Sequence, residues 1–535
     1  MSGPQDSAGP PSADETLALL RHGLALHQQG RAAEAEAAYR EVLRRYPNNF
    51  DARHLLGLLA HHTGRHAEAV ELISAAIAAN PKVAGMYVNR GLALGELGRL
   101  DEAVADHDRA IALSALAPEA HVARAAALRG LGRLEEAAAG YARTLELRPG
   151  LADAHMDHGS TLAALGRPQD ALASYDRALA LRPDNAGAHF NRANVLKQLG
   201  RVDEAIAAYD RAIALQPDFA IAHHNRAICL MLAGELTAGL REYEWRKRCP
   251  DVEDPRFGLP DPWSGEEDIA GKTLFIFPEL FLGDMIQFCR YAKLAEGRGA
   301  RVVMAAPASL HALLRTLSPT IELIAKDAQP EAFDRHCALM SLPLAFGTEP
   351  SAIPAEIPYL AAEPARVARW KARLGEAGAK VGVCWQGSTL AYSAPLRRAF
   401  PLAALVGLAR LPGVRLISLQ KHDGLEQLSA LPPGMAVETL GEDFDAGPDA
   451  FLDAAAVMTT CDLVITADTA VAHLAGALGV PTWVALPHAP DWRWRLHGDD
   501  SPWYPTVRLF RQEAPGDWTG VFSRIEASLR EIANA

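Results

Sequence analysis

The chain contains no apolar run long enough to cross a membrane, although 49% of its 535 residues are hydrophobic. It also lacks a surplus of basic residues. The formal net charge is -12, which argues against a general nucleic-acid binder because phosphate contact needs a basic surface. Residues 1–15 are rich in Ser, Gly and Pro without an apolar core, so we expect a disordered tail and not a signal peptide.

The six cysteines are few and far apart, and no two of them have the spacing of metal ligands. Most stand in apolar runs, so we expect reduced, buried thiols in a cytoplasmic protein. The remaining composition is that of an ordinary globular protein with two or three domains.

The N-terminal half is dominated by a repeat of 34 residues. Its clearest marker is a glycine that recurs at this step from Gly30 to Gly234 without a slip. An alanine usually follows five residues later and an aromatic residue nine later, as Ala35 and Tyr39 do, and a proline such as Pro47 closes most units. The glycine turns the chain between two helices, the alanine lets them pack closely, the aromatic ring fills the groove, and the proline ends the second helix.

This pattern resembles the tetratricopeptide repeat, with six full units from about residue 16 to 219. A seventh, less regular unit runs into Trp245 and has Gly239 in place of the alanine. The resemblance implies a superhelix of α-helices with a groove for an extended partner. We therefore expect residues 16–253 to form a repeat domain that binds a protein acceptor.

One helix position of the repeat carries an amide or a carboxylate in four units. In the repeats of O-linked N-acetylglucosamine transferases, similarly placed asparagines hold a peptide backbone. An asparagine amide can both donate to and accept from a peptide unit. The predicted peptide-binding residues are Asn89, Asp157, Asn191 and Asn225. The alternative is that they are solvated polar groups on a helix face.

Beyond about residue 254 the period ends, and predicted strands alternate with helices. Such alternation predicts parallel sheets with helices on both faces. The predicted strands are residues 274–277, 301–305, 321–324, 380–385, 414–420, 436–439, 463–466 and 482–486. A proline-rich connector at 350–364 indicates a boundary between two halves, which we place at 254–365 and 366–535.

Several ordered motifs in these halves resemble the glycosyltransferase domain that bacteria fuse to tetratricopeptide repeats, which is related to heptosyltransferases. They include residues 282–288 (LGDMIQF), 381–385 (VGVCW), 468–476 (DTAVAHLAG) and 490–494 (PDWRW). The resemblance implies a GT-B fold, in which two Rossmann-like halves face each other across a cleft. The predicted fold class is therefore an α superhelical repeat array followed by an α/β GT-B region.

In the related heptosyltransferases, the aspartate of the Leu-Gly-Asp turn is the candidate general base. The resemblance implies this catalytic role for Asp284, because a carboxylate can take the proton of an acceptor hydroxyl in the transition state. The alternative is that Asp284 caps a helix predicted over residues 285–296. Glu279 is the alternative carboxylate, and Phe281 adds bulk where relatives usually have glycine.

The nucleotide sugar is expected mainly at the carboxyl ends of the second set of strands. Helix N-termini hold phosphates there, because free N–H groups and the helix dipole point toward the ligand. The predicted nucleotide-sugar residues are Gly283, Trp385, Gly387, Ser388, Arg398, Gln420, Lys421, Asp468, Thr469, Ala470, Val471 and His473. A surface position for Lys421 and a core position for His473 are the open alternatives.

The loop at residues 390–396 is nearly uncharged, whereas relatives carry a lysine and arginines there that neutralise a diphosphate. This composition suits a donor with one phosphate, such as a CMP-linked sugar, as well as a UDP-linked one. We expect no cofactor besides the donor substrate and no metal. GT-B enzymes generally stabilise the leaving phosphate with helix dipoles and basic groups.

These features predict a cytoplasmic glycosyltransferase that moves a sugar from a nucleotide donor to Ser or Thr of a polypeptide bound by the repeats. Flagellin modified with a nonulosonic acid from a CMP donor is one match among bacterial proteins of this arrangement. Two alternatives stay open. One is a transferase that acts on lipopolysaccharide or another glycan, and the other is a scaffold whose transferase domain is inactive.

Overall fold

The computed structural model describes residues 13–250, 252, 254–279, 281–388 and 398–534. The chain divides into two compact units between Val195 and Leu196, inside the predicted repeat region. The last helices of the repeats therefore belong to the same compact unit as the α/β part of the chain.

The repeats form consecutive pairs of helices joined by tight turns. Each of the seven marker glycines has a positive φ, between +72° and +96°, which glycine adopts without the Cβ penalty of other residues. The helices are α1 (Ala13–Gln28), α2 (Ala32–Arg45), α3 (Phe50–His62), α4 (His66–Ala79), α5 (Ala84–Glu96), α6 (Leu100–Leu113), α7 (Pro118–Gly130), α8 (Leu134–Leu147), α9 (Ala152–Ala164), α10 (Pro168–Leu181), α11 (Ala186–Gln198), α12 (Val202–Leu215), α13 (Ala220–Leu232) and α14 (Leu236–Tyr243).

The first pair shows why the repeat positions matter. Ala35 and Tyr39 on α2 are fully buried. A Cβ at Gly23 on α1 would lie only 2.6 Å from the Tyr39 ring. The first helix thus leaves room for the aromatic ring of the second, which confirms the predicted packing of the repeat.

The last pair has a shorter second helix than the earlier pairs. Helix α14 has only 8 residues, whereas the second helices of the earlier pairs have 14. A Cβ at Gly239 would lie 2.3 Å from the Cγ of Met231 on α13, so the glycine allows a close approach that alanine would obstruct. A short 3-10 turn, Glu244–Arg248, follows α14 directly.

Two parallel sheets follow the repeats. The first has the order β3-β2-β1-β4 and the second has the order β6-β5-β7-β8-β9. Their strands are β1 (Thr273–Phe277), β2 (Arg301–Ala306), β3 (Glu322–Ala325), β4 (Arg335–Ala338), β5 (Ala379–Cys384), β6 (Val414–Ser418), β7 (Leu463–Ala467), β8 (Thr482–Leu486) and β9 (Val507–Arg511). In both sheets the chain reverses direction across the sheet at its first strand, where α/β proteins bind ligands. This confirms the predicted fold class.

Short helices connect the strands. They are α15 (Leu282–Phe288), α16 (Arg290–Gly297), α17 (His311–Leu314), α18 (Leu342–Ala345), α19 (Pro364–Leu374), α20 (Val406–Ala409), α21 (Leu452–Met458), α22 (Ala470–Ala477) and α23 (Trp518–Asn534). Within the described residues, no helix combines the length and the apolar character that crossing a bilayer requires.

The prediction of one helix over residues 285–296 is wrong, because the helix is interrupted between α15 and α16. Side chains take over two backbone carbonyls at the interruption. The Tyr359 hydroxyl donates to the Ile286 carbonyl at 2.9 Å, and the Arg290 Nε donates to the Gln287 carbonyl at 2.8 Å. Those carbonyls are therefore satisfied without a continuous helical ladder.

The predicted strand at residues 436–439 is also wrong. Only Glu438 pairs there, through an isolated bridge with Ile417 at the edge of the second sheet. The described cysteines include all six of the chain, and every one is a buried free thiol, as predicted.

Candidate active site

The helix after β1 and the helix after β7 meet at their N-terminal ends. A Cβ at Gly283 of α15 would lie 3.2 Å from the ring of His473 and 3.6 Å from the Cα of Ala470 on α22. Only a glycine fits easily at such a contact. The close approach brings Asp284, the next residue of α15, beside the helix predicted to hold the nucleotide sugar.

The turn between β7 and α22 is held by Thr469. Its hydroxyl accepts a hydrogen bond from the Val471 backbone N–H at 3.2 Å and so caps the helix. A Cβ at Gly387 would lie 3.3 Å from the Thr469 methyl group, so the glycine lets the segment after β5 approach this turn. Ser388 follows with an exposed side chain. The structure thus brings these predicted residues together at one edge of the second sheet.

Five charged residues of alternating sign run through the helix junction. The Arg493 guanidinium donates to Asp284 Oδ1 at 2.5 Å and to Asp491 Oδ1 at 2.8 Å. The Arg398 Nη2 donates to Asp491 Oδ2 at 3.1 Å, and its Nε lies 3.3 Å from Asp468 Oδ2. We call these five residues the charge chain. It links the first α/β half to the second.

The three carboxylates of the charge chain have different proton affinities. Burial raises the pKa of Asp284, and the nearby Arg493 offsets this only in part. Burial likewise raises the pKa of Asp468 against the effect of Arg398. Burial also acts to raise the pKa of Asp491, but the two arginines outweigh it and lower the pKa to about 2. Asp491 is therefore the firmly ionised centre, whereas Asp284 binds a proton more readily than an ordinary aspartate.

Three buried polar atoms that belong to the charge chain or to its neighbour Gln287 have no hydrogen-bond partner among the described residues. They are the Nε2 of Gln287, the Nε of Arg398 and the Oδ2 of Asp468. The last two face each other at an ion-pair distance without the alignment of a hydrogen bond. A buried polar group without a partner costs about 1–3 kcal/mol. The two N–H groups would gain from a ligand with anionic oxygens.

His473 has the contacts of a core residue. Its ring stacks on Trp494 with centroids 5.3 Å apart, and its Nδ1 lies 3.1 Å from the Tyr504 hydroxyl oxygen. Burial, followed by the charge of Arg493, lowers the pKa of His473 well below its ordinary value. The imidazole is therefore neutral at physiological pH and brings no positive charge to a phosphate.

Two of the predicted nucleotide-sugar residues shape the segment after β5. The amide of Gln420 accepts from the backbone N–H groups of Trp385 and Gln386, each at 3.1 Å, and donates to the Gln386 and Asp423 carbonyls, each at 2.7 Å. The Trp385 indole is fully buried and donates to the Gly424 carbonyl at 3.0 Å. The side chain of Trp385 is thus unavailable to a donor, and its backbone N–H and carbonyl already pair with Gln420 and with the Phe400 N–H.

Lys421 is engaged elsewhere in the second half. Its ammonium donates to the backbone carbonyl of Phe444, and it also lies 5.9 Å from the centre of that ring. The prediction about the uncharged loop at 390–396 falls outside the described residues. Arg398 is the first described residue after that loop, and its guanidinium joins the charge chain.

The residues around the predicted base have distinct environments. The alternative carboxylate Glu279 is held in a two-pronged ion pair by Arg246, so it is not free to act as the base. Phe281 begins the helix with 47% of its surface exposed. Its carbonyl accepts from the Asp284 backbone N–H at 3.1 Å. The exposed ring of Phe281 thus stands three residues before the predicted base, at the N-terminal end of the helix that carries it.

The predicted peptide-binding positions already have partners in neighbouring repeats. The Asn89 amide lies 2.8 Å from the His54 Nε2, and Asp157 accepts from the Arg129 guanidinium at 2.8 Å. Asn225 is hydrogen-bonded to Tyr209 of the preceding unit, and Asn191 is half-buried. A peptide that used Asn89 or Asp157 would have to share or replace these contacts.

Sequence reasoning missed Asp491, Arg493 and Gln287 as members of the site. The first two lie within the PDWRW motif, to which the resemblance assigned no site residue. The available signal was an aspartate and an arginine that alternate with tryptophans. Such a pattern indicates a buried ion pair, because buried charges are almost always paired. Gln287 lies in the LGDMIQF motif, three residues after Asp284.

Comparison with known families agrees with both halves of the chain. The tetratricopeptide repeat family matches residues 20–84, 88–152, 156–218 and 191–251. Glycosyltransferase family 9 (heptosyltransferase) matches residues 403–486. This second range contains Gln420, Lys421 and the β7–α22 turn, whereas Asp284 and Arg493 lie outside it.

Individual relatives cover parts of the chain. It is 32% identical over 320 residues to Protein FlbA of Caulobacter vibrioides, a match that covers 55% of this chain and 52% of FlbA. The chain thus spans about half the length of this curated relative. Among solved structures, MamA matches at 24% identity with a TM-score of 0.29, over 31% of this chain and 96% of MamA. YrrB, described as a TPR protein with an unusual peptide-binding site, matches at 23% identity with a TM-score of 0.31, over 34% of this chain and 92% of YrrB.

The two family matches follow each other along the chain without overlap. The second one falls in the half that contains the larger parallel sheet and the β7–α22 turn. The chain therefore joins a region that matches tetratricopeptide repeats to a segment that matches glycosyltransferase family 9.

Proposed function

We propose that this protein is a glycosyltransferase that moves a sugar from a nucleotide donor to a Ser or Thr hydroxyl of a polypeptide bound by its repeats. The observation that carries the proposal is the meeting of Asp284 with the N-terminal end of α22 in one buried, charged junction. One side of the junction offers a base for an acceptor hydroxyl. The other side offers N–H groups for a departing phosphate.

In the proposed step, the acceptor oxygen attacks the anomeric carbon while the bond from that carbon to the donor phosphate oxygen breaks. The hydroxyl proton passes to Asp284, and the phosphate leaves with the electron pair. The raised pKa of Asp284 favours proton uptake, and Arg493 orients its carboxylate at 2.5 Å. Arg398 and the N-terminal end of α22 stabilise the charge on the phosphate.

The charge balance of the junction supports a donor with one phosphate. The charge chain has three carboxylates and two guanidiniums, which gives a formal charge of -1 when all five are ionised. A diphosphate would place two further negative charges beside them, whereas a CMP-linked sugar places one. We therefore favour a CMP-linked over a UDP-linked donor, and we expect transfer without a bound metal or another cofactor.

The repeats support a polypeptide acceptor, because a groove for an extended chain adds nothing to the capture of a small sugar acceptor. Flagellin that receives a nonulosonic acid is the specific form of this proposal. Transfer to lipopolysaccharide or another glycan, and a scaffold without transfer, are the competing functions.

The test combines donor binding with transfer. Thermal shifts of the full chain with CMP-, UDP-, GDP- and ADP-linked sugars identify the donor, because a ligand of the folded state raises the melting temperature. Transfer to purified flagellin is then followed by its intact mass. We expect Asp284→Asn to lower transfer by about 10²–10⁴-fold while the donor still shifts the melting temperature. Asp499→Asn, which changes an exposed carboxylate, serves as the matched control.

Each outcome separates the possibilities. Full transfer by Asp284→Asn would remove Asp284 as the base. Transfer to a saccharide but to no polypeptide would favour the glycan transferase. If no nucleotide sugar shifts the melting temperature and no transfer occurs, the protein is a scaffold.

A further inference from the structure

The last helix pair of the repeats is built into the transferase part of the chain. From its contacts we infer that α13 and α14 hold the segments that carry Asp284 and Arg493 in place, and that Arg246 is a positioning residue for Asp284. The meaning of this inference for catalysis rests on the proposed function. Its structural part can be tested without any transfer.

Arg246 is the centre of the first connection. It lies in the turn after α14, and only 2% of its side chain is exposed. Its Nε and Nη2 donate to the two carboxylate oxygens of Glu279 at 2.7 and 2.9 Å. It also donates to Glu244 at 2.8 Å and to the Ser341 hydroxyl at 2.8 Å. The guanidinium therefore has partners on both sides of the repeat boundary, and burial makes each of them costly to lose.

Glu279 transmits this connection to the proposed base. It stands between β1 and α15, five residues before Asp284, and 4% of its side chain is exposed. One of its oxygens also accepts from the Met340 backbone N–H at 3.0 Å. The carboxylate is thus fixed from three directions. Glu279 stands three residues before the first residue of α15, the helix that carries Asp284.

A second connection reaches the segment that carries Arg493. The backbone N–H of Leu496 donates to the carbonyl of Leu232, the last residue of α13, at 3.1 Å. The rings of Tyr243 on α14 and Trp492 lie 6.5 Å apart, within the range of an aromatic pair. The same helix pair therefore contacts the residues on both sides of Arg493.

The two connections end on the two partners of one ion pair. Arg246 supports the segment of Asp284, and Leu232 supports the segment of Arg493. The Arg493 guanidinium and the Asp284 carboxylate then meet at 2.5 Å. Helices α13 and α14 thus close a ring of contacts around the proposed base. The two helices approach each other closely at Gly239, which is the position where the repeat departs from alanine.

The test replaces the two-pronged donor with a single one. Arg246→Lys keeps the positive charge but cannot donate to both oxygens of Glu279 in the same fixed geometry. The matched control is Arg415→Lys. Arg415 also makes a two-pronged ion pair, with Glu438 at 2.7 Å for both contacts. It lies at the amino end of β6, whereas ligands bind at the carboxyl ends of the strands.

Amide hydrogen exchange of the full chain gives the structural readout. We expect Arg246→Lys to speed exchange in residues 281–288, while Arg415→Lys leaves this segment like the parent. Unchanged exchange in Arg246→Lys would overturn the inference, whatever the protein transfers. If Arg246→Lys exchanges faster but the parent transfers no sugar, the structural connection stands and the proposed function is rejected instead.

Kinetics give the readout for positioning. We expect Arg246→Lys to lower kcat at least tenfold with the donor KM within twofold of the parent, because small displacements of a reacting group are costly. The acidic limb of its pH–rate profile should move to higher pH, since a displaced Asp284 loses the Arg493 contact that lowers its pKa. A kcat and a pH profile equal to those of Arg415→Lys would contradict the positioning role.

Discussion

Replacement of Asp491 by asparagine removes the negative centre of the charge chain while keeping the shape of the side chain. Asp491 accepts from both Arg493 and Arg398, and these arginines lower its pKa from the ordinary 3.8 to about 2. Each pKa unit corresponds to 1.36 kcal/mol, so the carboxylate contributes ~2 kcal/mol to stability at neutral pH. One of the two arginines would also lose its acceptor, because asparagine keeps only one of the two oxygens, and this raises the expected loss to about 2–4 kcal/mol.

The chain offers a local probe for this measurement. All nine tryptophans lie at Trp245 or beyond it, so intrinsic fluorescence reports unfolding of the transferase region and not of the earlier repeats. Urea titrations of the full chain, followed by this fluorescence, therefore avoid a mixed signal from two compact units. We expect a lower urea midpoint for Asp491→Asn and an unchanged midpoint for the exposed control Asp499→Asn.

The pH dependence of this stability difference gives a second, independent test. A carboxyl whose folded pKa is lowered stabilises the protein fully above the unfolded pKa, and this contribution disappears as the pH falls through the folded value. The difference between parent and Asp491→Asn should therefore be constant above about pH 5 and shrink as the pH falls toward about 3. The reasoning is refuted if Asp491→Asn unfolds at the midpoint of Asp499→Asn, or if the difference does not shrink in acid.

Two further substitutions test the packing of the site, both by the same tryptophan fluorescence. Gly476→Ala should destabilise the fold by about 1–3 kcal/mol, because the added Cβ would lie 2.5 Å from the fully buried ring of Tyr504. Alanine is the better helix former, so a gain in stability would contradict this reasoning. Gln420→Ala should destabilise by about 2–4 kcal/mol, because it leaves the backbone N–H groups of Trp385 and Gln386 without an acceptor. It should also reduce the thermal shift by a CMP-linked sugar, and a variant with the parent's urea midpoint would disprove the supporting role of Gln420.

The repeats were predictable because their requirements are local. Each helix pair needs a residue with a positive φ, such as Gly30, and a small residue opposite the aromatic ring, such as the one that faces Tyr39. The glycine of the turn recurs in the sequence every 34 residues. The buried strands were equally visible, since parallel strands covered on both faces form continuous apolar runs. Strand β8, Thr482–Leu486, was predicted with its observed bounds.

The errors in strand prediction occur where a segment's apolar character does not match its backbone pairing. The segment at 436–439 has strand-like composition. However, the Glu438 side chain forms an ion pair with Arg415, and its backbone forms only an isolated bridge with Ile417. Strand β9 was missed because Arg508 and Arg511 interrupt its apolar residues. Composition alone does not distinguish such an edge segment from a strand at the edge of a sheet.

The candidate site could be predicted only one side at a time. Asp284 and the β7–α22 turn were each marked by a motif, and no local pattern shows that they meet. The ion pair that ties Asp284 to the second half is made by Arg493, which lies 209 residues after Asp284 in the chain. Sequence spacing carries no information on such a pair, because it depends on how loops from two different sheets come together.

The buried cysteines have a practical consequence. The second compact unit contains all six: Cys229 and Cys249 in or beside its helix pair, Cys289 and Cys337 in the first α/β half, and Cys384 and Cys461 in the second. Burial raises the pKa of Cys289, Cys337 and Cys461 to about 12 and that of Cys229 and Cys384 to about 11.

Alkylating reagents attack the thiolate, so a buried thiol of this kind reacts only after the structure around it has opened. The rate at which each cysteine is alkylated therefore measures how often its own part of the protein opens. With two thiols in each of the three parts, the native chain carries duplicate reporters of local unfolding and needs no added label.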